Sequence, residues 1–260
     1  PYVEGYAVAS IAEGIILRRH GIRKMILILG VTHESRFEEL VHYDIRPAMF
    51  RYEEVRKLSD TAVKMGKKAN IHLAVDTGMN RIGMKPDERS ADMVYRMSRL
   101  GGVCIEGMFT HFAKADELDK TAYTAQYRAY TDFVDMLSVR DVTIPIRHCS
   151  NSAGIVESLE SNGLDMVRAG ISIYGLYPSD EVGRDAVKLM PAMELKSFIT
   201  YIKTIEPGDQ VSYGGTFVAD RTMRVATIPV GYGDGYLRSL SGKGSVLVRG
   251  QRARILGRVC

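Results

Sequence analysis

Ile71-His-Leu-Ala-Val75 runs without a break into Asp76-Thr-Gly-Met-Asn-Arg-Ile-Gly83. A short, mostly apolar run closed by an aspartate and a glycine predicts a buried strand ending in a loop, and the loop presents Arg81. The pattern recurs on both sides. Upstream lie Tyr6-Ala-Val-Ala-Ser10, Met25-Ile-Leu-Ile-Leu29 and Ile45 to Phe50; downstream lie Val103 to Phe109, Ile144-Pro-Ile-Arg-His148 and Met166 to Tyr174. Amphipathic stretches of helical length separate them. Strands alternating with helices predict a parallel sheet, and eight such units close a barrel of typically about 250 residues. Seven units predict an α/β fold: a (β/α)8-type TIM barrel lacking its first strand unit.

After Tyr174-Gly175 the texture changes. Pro178, Pro191 and Pro207 punctuate the chain, and short β-rich runs follow: Phe198 to Ile205, Thr216 to Val218, Arg224 to Pro229, Ser245 to Arg249 and Arg254 to Leu256. Glu206-Pro-Gly-Asp209 and Val248-Arg-Gly-Gln251 supply turn chemistry between them. The expectation is an incomplete barrel over residues 1–180 and a partial antiparallel β domain over 190–260, with the sequence cut at both ends.

Of the 260 residues, 45% are hydrophobic and 25% charged, the balance of an ordinary globular protein rather than a disordered or fibrous one. No stretch reaches the roughly 18 apolar residues of a bilayer span. A net charge of +4, without a basic run interleaved with aromatics, argues against nucleic acid and leaves phosphate-bearing small molecules compatible. Cys104, Cys149 and Cys260 have no metal-ligand spacing and read as reduced thiols of a cytoplasmic protein, with no metal expected.

Several segments carry chemistry. Arg81 offers planar bidentate donors to a carboxylate or phenolate, or else pairs with a helix end. In Gly107-Met-Phe-Thr-His-Phe-Ala-Lys-Ala-Asp116, His111 and Asp116 follow a strand end, where a histidine is an acid, a base or a satisfied structural residue. His148-Cys-Ser-Asn-Ser-Ala-Gly154 ends a strand and opens a helix near Ser152, which is either an anion site or a plain cap. Arg168 interrupts an apolar run, so its always-charged group needs a specific partner. Gly170 and Ile171 lie beside it, where barrels often hold phosphate. Val211-Ser-Tyr-Gly-Gly-Thr216 and Pro229-Val-Gly-Tyr-Gly-Asp-Gly-Tyr236 are glycine-flanked tyrosine loops, weak phosphate-loop signals with neither a P-loop lysine nor Rossmann spacing.

Taken in order, these segments, with Gly257-Arg-Val-Cys260, closely resemble the bacterial alanine racemases over essentially the whole chain. The resemblance implies a pyridoxal 5'-phosphate (PLP) enzyme, a homodimer with shared active sites, that interconverts L- and D-alanine for peptidoglycan by a two-base mechanism. It implies that Tyr213, reaching into the partner's barrel, is one base, that His111 lies between it and Arg168, and that Arg168 faces the pyridine nitrogen. Asn151, Ser152, Gly170 and Ile171 would bind the cofactor, Ser152 with the Gly170 and Ile171 amides holding the phosphate. Arg81 would contact the cofactor phenolate and the substrate carboxylate. Tyr232, Asp116, Arg238 and Arg258 match positions lining the family's substrate corridor.

The chain departs from the family pattern in three ways. The cofactor-binding lysine of the first barrel strand has no counterpart before Lys24, so the chain as given is expected to be inactive alone. The family's segments beyond Cys260 are not present. Ala74 stands where the family often carries a carbamylated lysine. A serine racemase of the same superfamily, a related PLP barrel decarboxylase and a non-catalytic PLP-binding protein are the alternatives, and Arg168 disfavours the decarboxylase.

Overall fold

A computed structural model describes residues 2–260, which divide into two compact units, one ending at Ala192 and the other spanning Met193–Cys260. The first unit follows the strand–helix alternation: β1 (Gly5–Val8), α1 (Ile11–Arg19), β2 (Met25–Ile28), α2 (Phe37–Tyr43), β3 (Arg46–Met49), α3 (Tyr52–Lys64), β4 (Ala69–Ala74), α4 (Glu88–Ser98), β5 (Val103–Phe109), α5 (Thr121–Ser138), β6 (Ile146–His148) and α6 (Ser152–Val156). The strands form one curled, all-parallel sheet in the order β1-β2-β3-β4-β5-β6.

Local chemistry explains the helices. Asp87 caps α4 by accepting from the Ser90 amide at 2.8 Å, and Ser10 caps α1 at the Glu13 amide. α3 buries Val55, Leu58, Ser59 and Ala62, the i, i+3, i+4, i+7 stripe of a helix lying on a sheet. The strands sort their side chains by parity. Ile71, Leu73 and Met108 join Leu58, Val94, Tyr130 and Phe133 in the large core between sheet and helices. Ala48, Ala74 and Phe109 pack with Leu29, Phe50 and Ile82 in a separate cluster, the inner face of the curl.

The expected seventh strand is not one. Residues 166–170 lie beside β6, but the backbone bonds between the two segments are only Met166 N–H to Arg147 O (3.3 Å) and Arg168 N–H to Ser150 O (2.9 Å). The Asp165 carboxylate takes the Arg147 amide that a ladder carbonyl would otherwise accept, and Ile171–Tyr174 coils into a 3-10 turn. Arg168 therefore sits on an irregular segment rather than inside a strand.

The second unit holds three two-stranded antiparallel sheets. They pair β7 (Tyr201–Ile205) with β10 (Met223–Thr227), β8 (Gln210–Val211) with β9 (Phe217–Val218), and β11 (Ser245–Val248) with β12 (Gln251–Arg254). The last strand starts earlier than the apolar run Arg254 to Leu256 predicts. Arg249 and Gly250, with φ of 51° and 78°, make a two-residue turn that sets Val248 opposite Gln251 and ends the pairing at Arg254. Among the described residues, no helix is long and apolar enough to cross a membrane.

Candidate active site

In the first unit Arg81, His111, Asn151 and Ser152 lie on the segments that follow β4, β5 and β6, while Arg168, Gly170 and Ile171 belong to the irregular segment beside β6 and the turn after it. The β4 loop is shaped by Asp76, whose carboxylate accepts from the amides of Gly78 (3.1 Å) and Asn80 (2.9 Å) and from Lys85 (3.3 Å). Burial alone would raise this carboxyl, but those donors outweigh it and hold it below the usual range. The loop then folds back on the strand. Asp76 donates its amide to Met84 O, Met84 returns a bond to Ala74 O, and a Cβ on Gly83 (φ 122°) would stand 2.6 Å from the Asp76 nitrogen. Arg81, at the outer bend, is exposed. Ala74 is buried on the inner face of β4.

His111 follows β5. Burial first, then the cations Arg168 and Arg81, push its imidazole down to about 4. Its Nδ1 is buried without a hydrogen-bond partner. Buried Gln126 of α5 steadies this loop: its Nε2 donates to His111 O and Thr77 Oγ1, and its Oε1 accepts from the Ala113 amide. Asp116 lies further along and is half-buried, its carbonyl accepting from Ser179 Oγ at 3.3 Å.

Asn151 caps α6, accepting from the Gly154 amide at 3.2 Å. Ser152 Oγ lies among three donors: the Gly170 amide at 2.9 Å, the Ser172 hydroxyl at 3.1 Å and the Ser172 amide at 3.3 Å. These donors are engaged with Ser152 Oγ, and they converge on the one position that a phosphate oxygen would have to share with it. Ile171 opens the 3-10 turn and is exposed.

Arg168 is 8% exposed. Nη1 donates to His148 Nδ1 at 2.7 Å and His148 O at 3.0 Å, and Nη2 donates to Thr110 O at 2.8 Å and Cys149 O at 2.9 Å. The guanidinium plane lies over Phe109, 5.4 Å from the ring centroid. Four of five N–H groups thus serve protein acceptors, while the fifth, on Nε, is buried and unpartnered. Burial pushes the guanidinium down to about 10, so it stays cationic at neutral pH. The same burial pushes the neighbouring Cys149 thiol up to about 12.

In the second unit Tyr213 is exposed on the turn Tyr213–Gly215, reached through Ser212 at a left-handed φ of 68°. Ser212 Oγ donates to Arg258 O at 2.8 Å, and a Cβ on Gly214 would lie 3.7 Å from the Arg258 guanidinium. Arg238 lies over the Tyr232 ring at 5.5 Å, and the Tyr232 amide donates to Cys260 O. Tyr213, Arg258, Cys260, Tyr232 and Arg238 therefore form one chain of neighbours. The glycine loop around Asp234 is self-contained: Asp234 accepts from the Gly231 amide at 2.9 Å, which uses that N–H inside the turn.

His72, Glu106, Thr110, Gln126 and His148 were not singled out by residue chemistry, yet they contact this site or its supports. The signal for His72 and Glu106 was a polar side chain amid apolar strand residues.

Residues 2–178 match the family model "Alanine racemase, N-terminal domain" and residues 192–260 match "Alanine racemase, C-terminal domain". An alanine racemase of Desulforamulus reducens is 42% identical over 98% of this chain and 68% of its own length. The solved alanine racemase of Clostridium difficile 630 is 41% identical, with a TM-score of 0.91 over 99% of this chain and 67% of that one. A solved histidine racemase of Leuconostoc mesenteroides is 27% identical, with a TM-score of 0.87 over 98% and 68%. The chain spans about two thirds of the length of these relatives. Both domain matches and the shared fold give one conclusion: this chain belongs to the alanine racemase family.

Proposed function

We propose that the protein carrying this chain is a PLP-dependent alanine racemase, a cytoplasmic homodimer with shared active sites that supplies D-alanine for peptidoglycan. The observation that carries the reading is the Arg168 guanidinium, whose Nη groups are anchored while its buried Nε–H awaits an acceptor. An aromatic ring nitrogen fits that need. Bound PLP supplies an acceptor for the electron pair left when the substrate α-carbon loses its proton.

Arg168 is a donor that does not readily release its proton, so it holds the ring nitrogen unprotonated and limits how far charge spreads into the ring. Ser152 and the Gly170 and Ile171 amides take the phosphate, on the α6 start capped by Asn151. Arg81 binds the substrate carboxylate. Tyr213 of one protomer moves a proton on one face of the α-carbon in the partner's barrel, with neutral His111 and cationic Arg168 behind it to favour the phenolate. Tyr232, Asp116, Arg238 and Arg258 line the approach.

The test is Tyr213→Phe in the intact protein, assayed from L-alanine and from D-alanine. Loss of a positioned acid–base group should cost about 10²–10⁴-fold in rate, and unchanged rates in both directions would remove the two-base reading. The histidine racemase neighbour favours a second reading, the same machinery acting on another amino acid. Side-by-side kcat/KM values on alanine, serine and histidine decide between them.

A further inference from the structure

Behind Arg168 a line of polar side chains crosses the inner face of the sheet. His148 Nδ1 meets Arg168 Nη1 at 2.7 Å, His148 Nε2 meets His72 Nδ1 at 2.8 Å, and His72 Nε2 meets Glu106 Oε2 at 3.3 Å. Glu106 in turn accepts from Arg46 Nε at 2.8 Å and Nη2 at 3.1 Å, and Arg46 Nη1 reaches the exposed Asp44 carboxylate at 2.7 Å. Both imidazoles are fully buried.

Chemistry gives the line a direction. An arginine only donates, so the His148 Nδ1 facing it must be a bare acceptor. A neutral imidazole has one proton, so His148 carries it on Nε2 and donates to His72 Nδ1. His72 then carries its proton on Nε2 and donates to Glu106, an acceptor-only carboxylate. Every bond from Arg168 to Glu106 points the same way, and no other proton placement satisfies both ends.

We infer that His148, His72 and Glu106 form a one-directional relay in which Glu106 is the remote counter-charge of Arg168, making Glu106 and His72 positioning residues for the arginine that meets the cofactor ring. This rests on the reading of Arg168 as the ring contact. Two features of the backbone favour it. A β-bulge breaks the β4–β5 register: Ile71 pairs with Ile105 but His72 with Gly107, leaving Glu106 as the extra residue. Bulges re-aim side chains in this way. Gly107 then leaves room for the imidazole, since a Cβ there would stand 2.6 Å from His72 Nδ1 and Cε1. Phe109 stacks on His148 with centroids 5.2 Å apart at 20°, holding the ring plane. Burial would raise the Glu106 carboxyl, but His72 and Arg46 hold it down at about 2, so it is ionised as the relay requires. Burial, then Arg168 and His72, keep His148 well below its ordinary range and therefore neutral.

The experiment is nitrogen NMR of the intact protein with labelled histidine, together with titration of PLP into wild type, Glu106→Gln and His72→Asn. At neutral pH, wild-type His72 and His148 should each show a protonated Nε2 and a bare Nδ1, with or without PLP. Glu106→Gln removes the counter-charge but leaves an amide oxygen that can accept from His72 Nε2–H, so both tautomers, fixed from the Arg168 end, should stay while PLP affinity falls about tenfold, as for outer partners of ligating groups. His72→Asn keeps an acceptor for His148 but cuts the link to Glu106. His148 should keep its tautomer while PLP affinity falls by a similar factor, and this variant decides the matter if Glu106→Gln does not fold. A protonated Nδ1 on either wild-type histidine overturns the relay, as does unchanged PLP affinity in a folded variant. A protein that meets all these expectations yet fails to racemise alanine overturns the proposed activity and leaves the relay standing.

Discussion

Gly107→Ala places a methyl group where the relay has no space. The added carbon would lie 2.6 Å from two atoms of the His72 imidazole and 2.8 Å from Ile146 O, a backbone atom of the neighbouring strand. Overpacking of this kind costs about 1–3 kcal/mol. If His72 swings away instead, its 2.8 Å bond to His148 is lost and a buried ring nitrogen is left unpaired, an alternative cost of the same size, about 1–3 kcal/mol. The central expectation is about 2 kcal/mol, or a Tm lowered by about 4–8 °C for a unit of this size. Gly101→Ala is the control, because nothing lies within 4 Å of a Cβ there and no positive φ is needed. Thermal unfolding of both variants by circular dichroism makes the comparison. A Gly107→Ala transition within about 2 °C of the control would refute the claim that this glycine is required by the histidine beside it.

Two further outcomes follow from the electrostatics. Glu106 is held at about 2 against an ordinary 4.5, so it stabilises the folded state fully above about 4.5 and loses that contribution as pH falls toward 2. The ceiling is about 3 kcal/mol, and urea unfolding across this acid range should show a shallower dependence in Glu106→Gln than in wild type. His111 should stay neutral until pH falls to about 4; an NMR titration with a midpoint near the ordinary 6.5 would show that it is not buried beside Arg168 and Arg81.

Much of the fold was legible because strand and helix patterns are local. Met25-Ile-Leu-Ile28 and Ile71-His-Leu-Ala74 are strands because their apolar runs have length and composition suited to burial between two layers. Residues 166–174 carry an equally apolar run, yet they are not a strand. The outcome there turned on Asp165 taking the Arg147 amide, a contact across 18 residues that no window of sequence displays. The site was legible in a different way. His111, Ser152 and Arg168 were indecisive singly and informative as an ordered set. The burial of Ser152, Arg168 and the His111 Nδ1 atom, and the arginine's lone free Nε–H, required the folded chain.

The residue pattern by itself determined the parallel strand–helix architecture, the change to antiparallel β structure after Gly175 and the family to which the chain belongs. All three depend on residue types at fixed spacing. Only the tertiary structure decided that Arg46, Glu106, His72, His148 and Arg168 meet in one line. Their sequence separations reach 76 residues between His72 and His148, and the line depends on a single extra residue in the β4–β5 register. Side chains alternate sides at every position along a strand, so a slip of one residue settles which groups face the interior, and composition carries no record of that slip.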